Sequence, residues 1–339
     1  MVALAIQARA LTQAELADRL GITQGTVSKI LAGMQPFPEE LFAQLEEALG
    51  YPLSFYSREW EDEPDSPFFF RRRMATKQSD LKQTEARRRI IRRQIKELLS
   101  AIDRKPPMLP KLDPADVREG PIGVAHEVRG LLKVPTGPIT KLFSAIERTG
   151  CIIVPFDFHT GKIDACCDWI DDIPIIFVDL SRSPSRLRFS LAHELAHLVM
   201  HDSENEENEE QANEFASEFL LPSDEIRPML SPLNIARLGQ LKGYWKTSMQ
   251  AILVKAHRLG AISGYTYRQL NTQIGYRGFK YSEPFEDLIP REEPRLLKQL
   301  VSVYADSLQY TVRELSEKVS LSETEFVAQF SGGMFRVVV

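Results

Sequence analysis

HELAHLVMH, residues 193–201, places two imidazoles four residues apart with a carboxylate directly after the first. On an α-helix residues i and i+4 share a face about 5–6 Å apart, so His193 and His197 can both reach one ion. Glu194 falls about 100° round the helix from His193, near such an ion but badly placed to be a third in-line ligand, which suits a general base. The flanks make the stretch helical. Ser183-Pro184 reads as an N-cap with proline at the first helical position, and Leu187, Leu191, Leu195 and Leu198 continue an apolar stripe at helical spacing. His201 extends the ladder but stands roughly 12 Å along the axis from His193, too far for metal–nitrogen bonds of about 2 Å. It is expected to cap the last carbonyls or to contact a ligand from behind. The longer zinc motif with a glycine and a third histidine fails, because Met200 and Ser203 hold those positions.

A third protein ligand must come from elsewhere, and NEENEEQANEFASEFLLP, residues 205–222, offers several carboxylates. Ala212, Phe215, Ala216 and Phe219 define the buried face of a second helix. Glu209 falls about 70° from the centre of that face and Glu210 nearly opposite. Glu209 is the predicted ligand, with Glu210 the substitute. The bland reading, a solvated acidic run opening a helix, holds for most of the carboxylates between Glu204 and Glu210.

RFSLAHELAHLVMH at 188–201 followed by EEQANEFASEFLLP at 209–222 resembles the ImmA/IrrE family of metallopeptidases. The match includes the Arg-x-Phe before the first histidine, the Glu-x-x-Ala-Asn-x-Phe-Ala helix and the Leu221-Pro222 exit; Ala196 stands where the family has glycine. The resemblance spans about residues 120–259. It implies that His193, His197 and Glu209 bind Zn2+, that Glu194 is the base, and that the substrate is a repressor-type or antitoxin protein inside a bacterial cell. The oxyanion donor stays open among Arg188, His159 and Tyr244.

LTQAELADRLGITQGTVSKILAG, residues 11–33, resembles the helix-turn-helix of phage-repressor-like, XRE-family DNA-binding domains. Thr12 can cap a helix carrying Leu16, Ala17 and Leu20, Gly21 makes the turn, Thr23 caps the next helix, and Val27, Ile30 and Leu31 bury it. Gln13, Thr23, Gln24, Thr26, Ser28 and Lys29 are the candidate DNA contacts, with Gln24 first in the recognition helix, where an amide can pair with adenine. Gly25 removes a side chain where relatives carry a reader. Charge argues the other way: residues 1–50 hold three Lys or Arg against six Asp or Glu. Compensation could come from residues 71–105, with thirteen basic residues against four acidic. That stretch reads either as phosphate-holding or as one solvated face of a helix with Ile90, Ile91, Ile95, Leu98 and Leu99 inside.

At 43% hydrophobic and 26% charged residues the 339-residue chain is an ordinary globular protein of two or three domains. The absence of a long apolar run or a cleavable leader points to the cytoplasm. Cys151, Cys166 and Cys167 are too few for a disulfide framework and read as small packing residues, the last two pointing to opposite faces of a strand. The expected fold is mainly α with a small β-sheet (α+β): a helix-turn-helix domain over 1–58, a linker with a basic helix over 59–115, a zincin-like metallopeptidase domain over 116–280, and a helical unit over 281–339. Phe68 to Phe70 require cover from another domain or subunit. Strands are expected at 151–156, 163–170 and 173–180, ahead of the active helix, and an exposed edge among them could take a substrate peptide as an added strand. TVRELSEKVSLSETEFVAQF, from Thr311, has a faint helix-turn-helix rhythm with Ser320 at the turn, and reads as a protein-docking or dimerising tail; no internal repeat is evident. The function so implied is a DNA-binding, regulatory zinc endopeptidase, expected as a homodimer on its operator. The alternative is a non-catalytic regulator or antitoxin whose peptidase-like domain senses metal or ligand.

Overall fold

The computed structural model describes residues 1–58, 77–134, 136–202 and 205–331. The aromatics Phe68 to Phe70, the run Arg71 to Arg73, Ser203 and Glu204 lie outside them. The architecture is mainly helical with one small sheet, the α+β class expected.

The chain opens with α1 (Val2–Ala8), α2 (Gln13–Leu20), α3 (Gln24–Leu31), α4 (Phe42–Leu49) and α5 (Leu53–Ser57). A capping box starts α2: the Thr12 hydroxyl accepts from the Glu15 N–H while the Glu15 carboxylate accepts from the Thr12 N–H. Gly21 ends it at φ 64°, a left-handed turn that costs a glycine no Cβ clash. Thr23 caps α3, and Leu16, Ala17, Leu20 and Val27 are buried between the two helices. The long α6 (Gln78–Leu99) follows.

Next come α7 (Pro121–Leu131), α8 (Leu142–Glu147), β1 (Ile152–Pro155), β2 (Ala165–Ile170) and β3 (Ile173–Val178). The sheet runs β1-β3-β2, with β1 parallel and β2 antiparallel to the central β3. Side chains alternate between two cores. Ile153, Cys167, Ile176 and Val178 face one, shared with α9 (Pro184–Met200), α10 (Glu206–Leu220), α11 (Ser223–Ile226), α12 (Ile235–Trp245), α13 (Met249–Arg258) and α14 (Gly264–Tyr276). Val154, Cys166, Ile175 and Phe177 face the other, shared with α1–α6 and the C-terminal helices. The adjacent cysteines therefore do point opposite ways, as the two-residue strand period requires. Proline opens α9 at its first turn, but the Ser183 hydroxyl makes no capping bond. α9 is packed between the sheet and α10, and α10 in turn lies against α7, which accounts for the burial of the histidine helix on nearly all sides.

The C-terminal helices are α15 (Leu296–Ser302), α16 (Val312–Lys318) and α17 (Glu323–Phe326). The last two repeat the geometry of α2 and α3. Thr311 and Glu314 form the same capping box, Ser320 turns the chain at φ 55° where Gly21 does so at the amino end, and Ser322 caps the next helix as Thr23 does. Leu315, Val319 and Phe326 bury the positions of Leu16, Leu20 and Val27. The reading that no internal repeat is present is thus corrected at the level of geometry. Positions equivalent to Gln24, Thr26 and Lys29 hold Glu323, Glu325 and Ala328, acidic and apolar groups unsuited to phosphates. Instead the unit docks within the chain, Arg9 donating to Glu325 at 2.6 Å.

The basic helix α6 is corrected more sharply. Arg88, Arg92 and Arg93 are buried, so neither the phosphate-holding nor the solvated-face reading applies to them. Asp168 points from β2 toward α6 and forms an ion pair with Arg88, with Arg92 Nη1 at 3.1 Å. Arg92 also donates to the Trp169 carbonyl at 3.0 Å. Charge on this helix fastens it to the back of the sheet. Among the described residues no helix is long and apolar enough to cross a membrane.

Candidate metal centre

Helical spacing brings His193 and His197 together as expected: their Nε2 atoms are 3.1 Å apart. Glu209, one turn into α10, reaches across with carboxylate oxygens 3.6 Å from His193 Nε2 and 3.4 Å from His197 Nε2. One donor atom from each of the three lies within 4.8 Å of the others. Two tetrahedral ligands at about 2 Å from one ion stand roughly 3.3 Å apart, so this donor set fits a small divalent ion. Burial would raise the Glu209 carboxyl, but the His193 and His197 imidazoles facing it hold it well below the usual carboxylate range. Burial lowers the His197 imidazole, favouring the neutral ring that a ligand must be.

His201 sits behind this group. Its Nδ1 is 2.9 Å from His197 Nδ1, and its Nε2 is 3.0 Å from the Gln211 side-chain oxygen. Since Gln211 Oε1 can only accept, His201 Nε2 carries the proton, His201 Nδ1 accepts from His197 Nδ1–H, and the lone pair of His197 Nε2 is left facing Glu209. Of the two roles expected for His201, the contact from behind is the one its ring makes. Burial lowers His201 to about 4, which keeps the relay neutral. Its loss should be felt at the ion. In His201→Phe the affinity for Zn2+ is expected to fall about 10–100-fold, measured by competition with a chelating dye; unchanged affinity would remove the relay from the account.

Glu194 is 3% exposed, and its Oε2 has no hydrogen-bond partner among the described residues. Burial pushes its carboxyl up to about 7, opposed by the charge of His193 and by a hydrogen bond from the Cys167 thiol. An acid so poised exchanges protons near neutrality, as a general base requires. The cleft beside Glu194 and His193 is bounded by Lys162, Asp164, Ala165, Phe189 and Ser190. Cys167 and Lys162 were missed in the sequence. The alternation of β2 pointed Cys167 toward the histidine helix, but a cysteine on a strand reads as packing until its neighbour is known. None of the three oxyanion candidates borders this cleft. Arg188 is buried in bonds to Glu292 and the Ile139 carbonyl, His159 pairs with Asp157 at 2.9 Å, and Tyr244 is half-exposed against Trp245.

Residues 146–257, which contain Cys167, His193, Glu194, His197, His201 and Glu209, match the family model of the IrrE N-terminal-like domain, a peptidase M78 family. Over these residues the chain is similar to the IrrE N-terminal-like domain. Residues 2–56 match the helix-turn-helix family model. No curated protein matches the chain.

Ahead of the region similar to the IrrE N-terminal-like domain, the helix-turn-helix leaves Thr23, Gln24, Ser28 and Lys29 exposed, with Gln13 and Thr26 half-buried beside them. Gln24 Nε2 donates to Gln13 Oε1 at 3.0 Å, which joins the first residues of α2 and α3 on one surface. Thr23 is partly spent: it caps α3 and its hydroxyl lies 2.9 Å from that of Thr26. A side chain at Gly25 would meet only the Thr23 hydroxyl, at 3.8 Å, so the missing reader there has no packing cause.

Proposed function

We propose that the protein is a DNA-binding regulatory zinc endopeptidase that hydrolyses a peptide bond in a repressor- or antitoxin-type protein. The observation that carries this reading is the convergence of His193, His197 and Glu209 on one point beside a buried carboxylate, Glu194, with an unpartnered oxygen. When bound, a divalent ion there supplies Lewis acidity to water and to the scissile carbonyl. Glu194 accepts the proton of the attacking water and returns it to the leaving amine. Cys167 holds the Glu194 carboxyl from the sheet side, and the neutral His201 relay keeps the His197 lone pair directed forward. Lys162 is the cation bordering the cleft and is assigned to the oxyanion. A buried base with a free oxygen favours turnover over mere metal sensing, which has no use for it.

The substrate is taken as an extended strand. Among the described residues β2 pairs on one side only, and its start at Ala165 borders the same cleft as His193 and Glu194. Backbone pairing at that edge would present a scissile carbonyl to the site. Comparing new N-termini among cellular proteins exposed to the zinc-loaded and the chelated protein tests the reading: metal-dependent fragments of a DNA-bound regulator are expected, and identical profiles would refute it.

DNA binding is assigned to Gln13, Thr23, Gln24, Thr26, Ser28 and Lys29, on a two-fold dimer. Arg88, Arg92 and Arg93 of α6 are buried and add no phosphate contacts to these six residues. Each phosphate contact contributes about −0.9 to the slope of log K against log salt. Operator titrations are expected to give a shallow but negative slope; a slope of zero would count against phosphate contact.

A further inference from the structure

We propose that the junction between the helix-turn-helix, α6 and the C-terminal unit is a binding site for a small carboxylate that also bears an amine or hydroxyl donor. A cavity of about 220 Å³ opens there, remote from the histidine helix and independent of the peptidase reading. Arg9 and Tyr51 come from the amino-terminal bundle, Arg87 and Gln94 from α6, and Glu325 and Gln329 from the C-terminal unit. Ile91 and Leu321 supply apolar wall.

Two groups in this lining have unmet hydrogen-bonding capacity. Gln94 is 1% exposed, yet its Nε2 has no partner among the described residues. Glu325 gives one oxygen to Arg9, at 2.6 Å, while its other oxygen, Oε2, is buried and has no partner among the described residues. A buried donor with nothing to bond is costly and calls for a ligand or water to accept from it. The remaining charge is cationic. Arg9 is held by the Leu49 and Gly50 carbonyls, Glu325 and the Tyr51 ring, and Arg87 donates to the Asp157 carbonyl at 2.5 Å, so two guanidiniums face one carboxylate. Surplus donors from Arg87 and Gln94 select a carboxylate, and the free oxygen of Glu325 selects a donor on the same molecule. The volume is below that of drug-sized sites, about 300–1,000 Å³, and suits a molecule of amino-acid size. Such a ligand would touch the DNA-binding bundle, α6 and the C-terminal repeat at once.

The test uses the full chain. Thermal melts are run at fixed ionic strength against glycine, L-glutamine, L-glutamate, L-lactate and L-malate, with methylguanidinium chloride as a cationic control and acetate as a carboxylate without a donor. At least one amino- or hydroxy-acid is expected to raise Tm with a saturable dependence on concentration, by more than acetate and with no effect of the cation. Gln94→Leu and Arg87→Met are each expected to abolish that shift. Gln94→Leu removes a buried orphan amide, so its unliganded Tm should not fall, which separates loss of binding from loss of folding. A panel with no saturable shift, a shift matched by acetate or the cation, or one that survives in Gln94→Leu would each overturn the proposal.

Discussion

Glu194→Gln is expected to lower kcat/KM for cleavage of the protein substrate by about 10²–10⁴-fold while leaving metal content and Tm unchanged. Glutamine keeps the shape of the side chain and the bond with Cys167 but cannot take a proton. The result discriminates because Glu194 is not among the three converging donors, so a metal-sensing role would survive the change. The pH profile follows from the same group. Burial pushes Glu194 up to about 7, and a cation bound beside it draws it down, so the acid limb of kcat/KM falls at or below 7. The base works deprotonated, hence activity is lost as pH decreases through that value. The substitution removes this limb from whatever activity remains. Full activity in Glu194→Gln would exclude the carboxylate as base.

Asp168→Ala is expected to cost about 3–5 kcal/mol, the penalty for removing one partner of a buried ion pair. Asp168 and Arg88 have side chains 0% and 1% exposed, and Arg92 leans on the same carboxylate. Deleting it removes the buried counter-charge of two guanidiniums, leaving Arg88 to Glu85, at 2.8 Å and one-third exposed, and Arg92 to the Trp169 carbonyl. The double change Arg88→Met with Asp168→Leu should recover much of the loss, since matched apolar residues carry no desolvation cost. Denaturant melts of the two single variants and the double check this. Additive losses, with no recovery in the double variant, would mean that the pair is not coupled. A second consequence reaches the site: Asp168 neighbours Cys167, which holds Glu194, so Asp168→Ala should also slow cleavage.

The arrangement of the candidate site is legible in the sequence because it is local. Four-residue spacing puts His193 beside His197 on any helix, and the phase of the Phe215–Phe219 face was enough to choose Glu209 over Glu210. Capping residues likewise located α2 and α3. What stayed hidden depends on partners far along the chain. Nothing near Arg88 signals that an aspartate 80 residues away will bury it, so a charged helix read as solvated or phosphate-holding. The strand order β1-β3-β2, and hence the identity of the open edge, is set by crossovers that carry no periodic signal. Ser320 disguises the repeated turn between α16 and α17, because a serine at φ 55° is uncommon. The missed Cys167 belongs to both classes: its facing was readable, and its neighbour was not.

The central claim is that His193, His197 and Glu209 hold one zinc ion. Purified protein, stripped and reloaded, should bind one Zn2+ per chain, with an X-ray absorption spectrum of two imidazole nitrogens and oxygen at about 2.0–2.2 Å. Glu209→Gln should weaken binding and His193→Ala should abolish it. Failure to bind zinc, or unchanged binding after His193→Ala, would contradict the account.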